Sequence, residues 1–185
     1  MSQLGPKKEE YEKILLMYSG GLDTSCMIKW LQEKYKSKIY TFTADLGQDF
    51  TDPSRFDEIE EKALNLDVVK HYTIDLKDKF VNEYIFPTIK ANGLYQGIYP
   101  LSTAIGRPLI AIEAIKIAKQ ENIKVIAHGC TGKGNDQIRF NVTIRAYAPN
   151  IEILQPLIEW NMGRDEEIKY AQHHGIPIKK KNKKY

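Results

Sequence analysis

The sequence predicts an α/β fold, a twisted parallel sheet with helices on both faces, and three observations carry the prediction. Short apolar runs rich in β-branched and aromatic residues alternate with longer stretches of helical apolar spacing. Two of these runs end in glycine-rich turns, Ser19-Gly20-Gly21 and His128 to Asp136. The length of 185 residues suits one domain of this class and leaves no room for two large ones.

Ile14 to Tyr18 is the first predicted strand, apolar until it breaks at Ser19-Gly20-Gly21. Leu22, Cys26, Met27, Trp30 and Leu31 then recur at helical spacing, so a helix is expected from about Asp23 to Lys34 with Met27 and Trp30 on its core face. Lys38 to Ala44 reads as the second strand, followed by a loop through Gly47 and Pro53. Ser54 is the expected N-cap of a helix to about Asn65, with Asp57 and Glu58 in its first turn and the acidic run Asp57 to Glu61 as a solvated face. Val68 to Ile74 is a third strand. Helical spacing from Asp75 to Asn92 is interrupted at Pro87, and Gly93 to Pro100 reads as a loop. Ile105, Leu109, Ile112, Ile115 and Ile117 predict a long helix from Thr103 to Glu121, with Pro108 tolerable only near the first turn. Lys124 to Ala127 is the fourth strand and Ile151 to Leu154 the fifth. Arg164 to His174 is the last helix, stopped by Gly175 and Pro177, with His173 and His174 suited to the dipole at its end. Right-handed βαβ units bring both glycine-rich loops to the carboxyl edge of the sheet, where they frame a cleft.

Composition narrows the function classes. Hydrophobic residues at 42% and charged residues at 28% belong to a packed globular chain. The formal charge of +3 comes from Lys179, Lys180, Lys181, Lys183 and Lys184; the remainder holds 22 Lys and Arg against 24 Asp and Glu, or −2. A nucleic-acid partner is therefore not expected. No run reaches the roughly 18 apolar residues of a membrane span, and Met1 to Lys13 is polar without the apolar stretch of a signal peptide. The expected location is cytoplasmic. Cys26 and Cys130 form no CxxC motif, so neither a disulfide scaffold nor a structural zinc site is expected.

Ser19-Gly20-Gly21-Leu22-Asp23-Thr24-Ser25 lets the backbone turn sharply and aims several N–H groups together at a helix start. Such a place binds anions, and the Ser19, Thr24 and Ser25 hydroxyls add donors. A bare SGG is equally an ordinary strand-to-helix turn capped by Asp23 and Thr24. The string is neither the Walker pattern GxxxxGK[ST] nor the dinucleotide pattern GxGxxG. It does match SGGxD[ST], the pyrophosphate loop of the ATP pyrophosphatase superfamily, whose members cleave ATP between its α and β phosphates.

Further segments sharpen the resemblance. Met17 to Ser25, Ala44-Asp45-Leu46-Gly47-Gln48, Tyr99 to Pro108 and the string from Gly129 to Phe140 resemble the argininosuccinate synthase family in order and spacing, over nearly the whole chain. GKGNDQxRF is the most specific of these strings. The resemblance implies an adenine nucleotide alpha-hydrolase-like (Rossmann-like) fold. It also implies an AMP-forming carbon–nitrogen ligase that joins citrulline and aspartate with ATP, giving argininosuccinate, AMP and pyrophosphate. Mg²⁺ bridging phosphate oxygens would accompany the nucleotide.

Carried onto this sequence, the resemblance places ATP on Met17, Tyr18, Ser19, Gly20, Gly21, Leu22, Asp23, Thr24, Ser25, Ala44 and Gly129, with Asp23 near the metal. Citrulline would meet Tyr99, Thr103, Ala104, Asn135 and Arg139, and aspartate Thr131, Asn135 and Asp136. Asp23, Asn135 and Arg139 would be catalytic. Residue chemistry leaves several of these open. Ala44 suits a flat base or plain core; Tyr99 suits a ligand contact or a packing plug; Arg139 suits a substrate carboxylate or a surface ion pair. His128 suits a phosphate or a structural role. The chain departs from the family pattern at Met17 and Cys130, where alanine is frequent, and at Ala104, where some members have a citrulline-binding serine. Cys130 reads as a small filler whose loop position exposes it to thiol reagents.

The family pattern continues into a second domain with further citrulline contacts and a helix used in tetramer assembly. Residues 1–175 are thus expected to form the nucleotide-binding domain, and 176–185 the start of a linker to a synthetase domain. The isolated chain is expected to bind ATP with little or no turnover. Two rival readings are a pyrophosphatase-loop enzyme of the tRNA thiolation type and a non-catalytic ATP-binding module.

Overall fold

The structure, a computed structural model, describes residues 11–48, 54–132, 134–160 and 162–178. The lysine-rich end from Lys179, Lys133 of the second loop and Pro53 lie outside the described residues.

Five strands form one parallel sheet: β1 (Lys13–Met17), β2 (Lys38–Asp45), β3 (Lys70–Asp75), β6 (Val125–His128) and β7 (Glu152–Leu154). A two-stranded hairpin, β4 (Leu94–Tyr95) with β5 (Tyr99–Pro100), stands apart from it. The helices are α1 (Leu22–Tyr35), α2 (Arg55–Leu64), α3 (Lys77–Phe80), α4 (Phe86–Lys90), α5 (Ser102–Gln120), α6 (Asn135–Tyr147), α7 (Pro156–Glu159) and α8 (Arg164–His173).

The sheet order is β3-β2-β1-β6-β7. From β1 the chain moves outward through β2 and β3, then returns to place β6 on the other side of β1. The order reverses between β1 and β6, and in open α/β sheets the crevice at that reversal is where ligands bind. Met17, last residue of β1, is in register with His128, last residue of β6. The two glycine-rich loops therefore leave adjacent strand ends.

Alternation along β1 divides the core. Ile14 and Leu16 face one side with Met27, Ile28 and Leu31 of α1, Ile59 and Ala63 of α2 and Ala171 of α8. Leu15 and Met17 face the other with Phe80 of α3, Leu109 and Ala114 of α5 and Phe140 and Ile144 of α6. Both faces of the sheet are covered, so its central strand β1 is apolar and buried from Ile14 to Met17. Met17 is 8% exposed within the second cluster, its larger side chain absorbed as sheet packing. Ile176, beyond the last helix, packs in the first. No helix among the described residues is long and apolar enough to cross a membrane.

The strands and longer helices match the expected ones to within about two residues, with several differences, among them the short helix α7, which was not expected. The stretch 135–147, expected to begin in the second loop, is helix α6. It buries Phe140, Thr143 and Ile144 but leaves Ile138, Val142 and Tyr147 exposed, and apolar residues all round the helix blur the stripe by which it is recognised. The predicted loop around Gly97 contains the β4–β5 hairpin. Ser54 occupies the expected N-cap position of α2 and its carbonyl accepts the first intrahelical bond, from the Glu58 amide at 3.0 Å, but its backbone is already helical and its hydroxyl makes no cap bond to the helix amides. Pro108 sits in the second turn of α5, not the first, where it gives the Ala104 carbonyl no amide partner. Before Pro87 the helix widens into a π-helical turn, Val81–Ile85, a local accommodation just ahead of the missing N–H.

Candidate active site

The first loop is held by its own atoms. Gly20 has φ +72°, and a Cβ there would lie 2.6 Å from Ile59 Cγ1, so both conformation and space demand glycine. Gly21 opens α1 in extended conformation. The Gly21 amide reaches Ser19 Oγ at 3.4 Å, Ser19 Oγ lies 3.1 Å from Thr24 Oγ1, and Ser25 Oγ donates to the Gly21 carbonyl at 2.7 Å. Tyr18, buried, has its hydroxyl 2.9 Å from Ser25 Oγ, and its carbonyl accepts from Thr43 Oγ1 at 2.7 Å. Burial pushes the Tyr18 phenol up to about 12 against a smaller opposing effect of Ser25, so it stays protonated. Ser25 is fully buried. Its expected role as a direct phosphate donor is not what this geometry offers; its hydroxyl serves the shape of the loop.

The second loop abuts the first. A Cβ on Gly129 would lie 3.0 Å from Met27 Cε and 3.1 Å from Thr24 Cγ2, a close approach that a side chain would gain only by pushing these neighbours aside by a few tenths of an ångström. His128 sits beneath it with both ring nitrogens engaged. The Cys130 amide donates to Nδ1 at 3.3 Å, which puts the ring proton on Nε2, 2.8 Å from Asn141 Oδ1. Burial holds the His128 pKa below its ordinary value, so the ring is a neutral support; of the two roles open to it, the structural one is occupied.

Between the loops lies a cleft of about 390 Å³, lined among others by Ser19, Thr24, Ala44, Gly129, Arg107 and Asp136. It falls within the range of roughly 300–1,000 Å³ usual for small-ligand sites. Ala44 both lines it and packs in the core, so the two readings of that residue coincide. Cys130 lines it too; burial, with the Asp136 carboxylate adding, pushes its thiol up to about 11. The expected exposure to thiol reagents is thereby reduced, since the thiolate is the reactive form.

Asp136, in the first turn of α6, is gripped from two sides. Arg107 of α5 reaches its Oδ2 through Nε and Nη2, each at 2.9 Å, and Arg139 reaches Oδ1 at 2.7 Å. Burial alone would raise the Asp136 pKa, but the two guanidinium groups outweigh it and hold the carboxyl below its usual value. Arg139 is thus in an ion pair on its own helix. Arg107, which sequence reasoning passed over, ties α5 to the second loop; Thr103 lies one turn earlier on α5. Thr131 and Asn135 are exposed on the loop beside Asp136. Tyr99 is 62% exposed on the β4–β5 hairpin, which removes the packing-plug reading, and it does not line the cleft.

Asp23, in the first turn of α1, is half exposed, and its Oδ1 accepts from Arg164 Nη1 at 2.6 Å. The same nitrogen donates to Glu167 Oε2 at 2.7 Å. Glu167 is nearly buried; desolvation, with the Asp23 carboxylate beside it, pushes its pKa up to about 7. Neither Arg164 nor Glu167 was marked by the sequence. Their partner Asp23 lies 141 residues from Arg164, and no local spacing carries that signal.

Residues 13–177 match the family model described as the arginosuccinate synthase N-terminal HUP domain. The chain is 53% identical over 167 residues to an argininosuccinate synthase of Dictyoglomus thermophilum, covering 90% of this chain and 41% of that one. It is 53% identical over 169 residues to that of Pyrococcus furiosus, with 91% and 40% covered. It spans about two-fifths of the length of these curated relatives. Among solved structures, a U34-tRNA thiolase from Methanococcus maripaludis with its 4Fe-4S cluster superposes with TM-score 0.58 at 16% identity, covering 96% of this chain and 62% of that one. At that identity the likeness shows the shared fold alone. The chain belongs to the argininosuccinate synthase family, in which it represents the N-terminal HUP domain.

Proposed function

We propose that this chain is the nucleotide-binding part of a cytoplasmic, homotetrameric AMP-forming ligase that joins citrulline to aspartate. The observation that carries the reading is the first loop: glycine backbone, hydroxyls and the start of α1 converge at the point where the sheet order reverses, with Gly129 of the second loop packed against Thr24. In a family member, that convergence supports ATP with its phosphates on Ser19 to Thr24 and its base near Ala44. Met17 and Tyr18 line the same cleft, and Ser25 acts from behind as framework.

In the first half-reaction the citrulline ureido oxygen attacks the α-phosphorus and pyrophosphate leaves; in the second the aspartate amine displaces AMP. No covalent bond to the protein forms, so catalysis is positioning and charge stabilisation. Arg139 would hold the citrulline carboxylate, Asn135 would lie by the ureido group, and Tyr99, Thr103 and Ala104 would complete the citrulline side. Thr131, Asn135 and Asp136 would take aspartate. Asp136 stays ionised at neutral pH and so suits the substrate ammonium, which would share its carboxylate with Arg107 and Arg139.

The donor set fits Mg²⁺ held mainly by phosphate oxygens: Asp23 is the one carboxylate of the first loop and is half exposed, and a single carboxylate is enough for an ion that keeps waters and substrate oxygens. When bound, the ion would supply charge neutralisation on the leaving pyrophosphate. Residues 1–175 would form the nucleotide domain and 176–185 the start of the connection to the remaining family length.

Citrulline-dependent exchange of labelled pyrophosphate into ATP tests the reading, on this chain and on a version extended to the family's full length. The extended version is expected to exchange with citrulline and to ignore tRNA, while the chain alone binds ATP with little exchange. Exchange that responds to tRNA and ignores citrulline would overturn it, as would full synthetic turnover by the 185 residues alone.

A further inference from the structure

A second cavity of about 830 Å³ opens on the far side of the first loop, between α2 and the ends of α8. It shares Ser19, Arg55 and Ile59 with the main cleft, so the loop is a wall between two compartments. Gly20 and Gly21 face the second one, as do Lys62 and Arg164. Lys62 is anchored to the loop, its Nζ donating to the Gly20 carbonyl at 3.1 Å.

Arg164 is aimed into this compartment. Both of its bonds, to Asp23 and to Glu167, leave from Nη1. Its Nε and Nη2 make no hydrogen bond to any described residue, and its side chain is 60% exposed. Glu167, with a side chain only 6% exposed and its second oxygen buried without a hydrogen-bond partner, is a fixed post that orients the guanidinium. A planar fork with two donors directed at open space beside a phosphate-type loop is the arrangement that recognises phosphoryl oxygens in pairs.

We infer that Arg164 is a ligand for the pyrophosphate half of ATP, which occupies the second cavity while the nucleoside and the α-phosphate occupy the main cleft. The inference rests on the ATP reading above and extends it to a residue that the family strings did not mark. The scissile α,β bond would then lie at Ser19, where the two compartments meet. Pyrophosphate would depart through the second opening without crossing the cleft that retains the adenylated intermediate. Arg164 would exchange its Asp23 contact for phosphate oxygens, leaving the Asp23 carboxylate exposed on the loop.

Calorimetric titration with ATP, inorganic pyrophosphate and AMP, on the chain and on Arg164→Gln and Arg164→Lys, tests this. Arg164→Gln is expected to weaken pyrophosphate and ATP by about tenfold or more and AMP by less than about twofold, since a charge-assisted pair is lost only at the pyrophosphate. Arg164→Lys, which keeps the charge and loses the fork, should fall between. Equal weakening of all three ligands would mark a structural role and overturn the inference, as would no weakening. A wild-type chain that binds neither ATP nor pyrophosphate would instead sink the ATP reading itself. A measurement that needs no variant is modification of Arg164 by hydroxyphenylglyoxal, read by peptide mass spectrometry. Pyrophosphate should protect Arg164 and AMP should not; equal modification with and without pyrophosphate contradicts the inference.

Discussion

Ser19 to Ser25 and Gly129 to Asn135 leave neighbouring strand ends, yet different forces hold them. The first is built mainly from short-range contacts: hydroxyls and amides within seven residues satisfy one another and Tyr18 fixes them from below, with Lys62 on the Gly20 carbonyl and Arg164 on Asp23 added from outside. Among its described residues the second has one backbone bond of its own, Gly134 amide to Thr131 carbonyl at 3.4 Å, and it is positioned by charges and a ring from other elements: Arg107 on α5 and His128 beneath. A loop closed by its own atoms presents a preformed surface. A loop held through side-chain ion pairs can trade those partners for charged substrates. That difference suits a fixed phosphate cradle beside an adaptable amino-acid site.

The sharpest break of the first loop is Gly20→Ala. A positive φ and a 2.6 Å approach to Ile59 predict a loss of about 2–4 kcal/mol in unfolding free energy, measurable by urea titration, together with loss of ATP binding. A change below about 1 kcal/mol would show that the loop is not as tightly determined as its contacts indicate.

Acid should loosen the first loop through its support. His71, packed edge-on to Tyr18 and bonded to Thr41 at 2.8 Å, is pushed by burial down to about 4 from an ordinary 6.5. Because the unfolded chain takes up this proton first, stability is complete above about 6.5 and falls as pH drops toward 4, by up to about 3 kcal/mol. Urea midpoints across that range should fall for the natural chain and vary less for His71→Gln.

Arg107→Ala breaks the second loop and spares the first. Half of the grip on Asp136 is removed, at a cost of about 1 kcal/mol because the pair is partly exposed. Hydrogen exchange should accelerate in residues 129–140 and stay unchanged in 18–25. The smallest effect is at Cys130, whose thiol stands near 11. Alkylation at pH 8 should be slower than for the unfolded chain by at least about tenfold.

How much of this was legible in the sequence follows from the same contrast. The first loop could be read because its determinants are contiguous, and the five strands because apolar runs between turn residues carry a local signal. The second loop could be read only as a string. Its geometry depends on Arg107, 29 residues from Asp136, and on a helix α6 whose exposed Ile138, Val142 and Tyr147 hid its buried stripe. Arg164 and Glu167 carry no local signal, because nothing near them in the chain announces Asp23. The β4–β5 hairpin, two residues per strand and largely exposed, offered no burial pattern to detect.

We propose that the first loop is a preformed polyphosphate site. Titration of the natural chain with ATP and with AMP tests it most directly. The claim predicts that ATP binds at least about tenfold more tightly than AMP and that Gly20→Ala erases the difference. Equal affinities for the two nucleotides, or an ATP preference that survives Gly20→Ala, would contradict it.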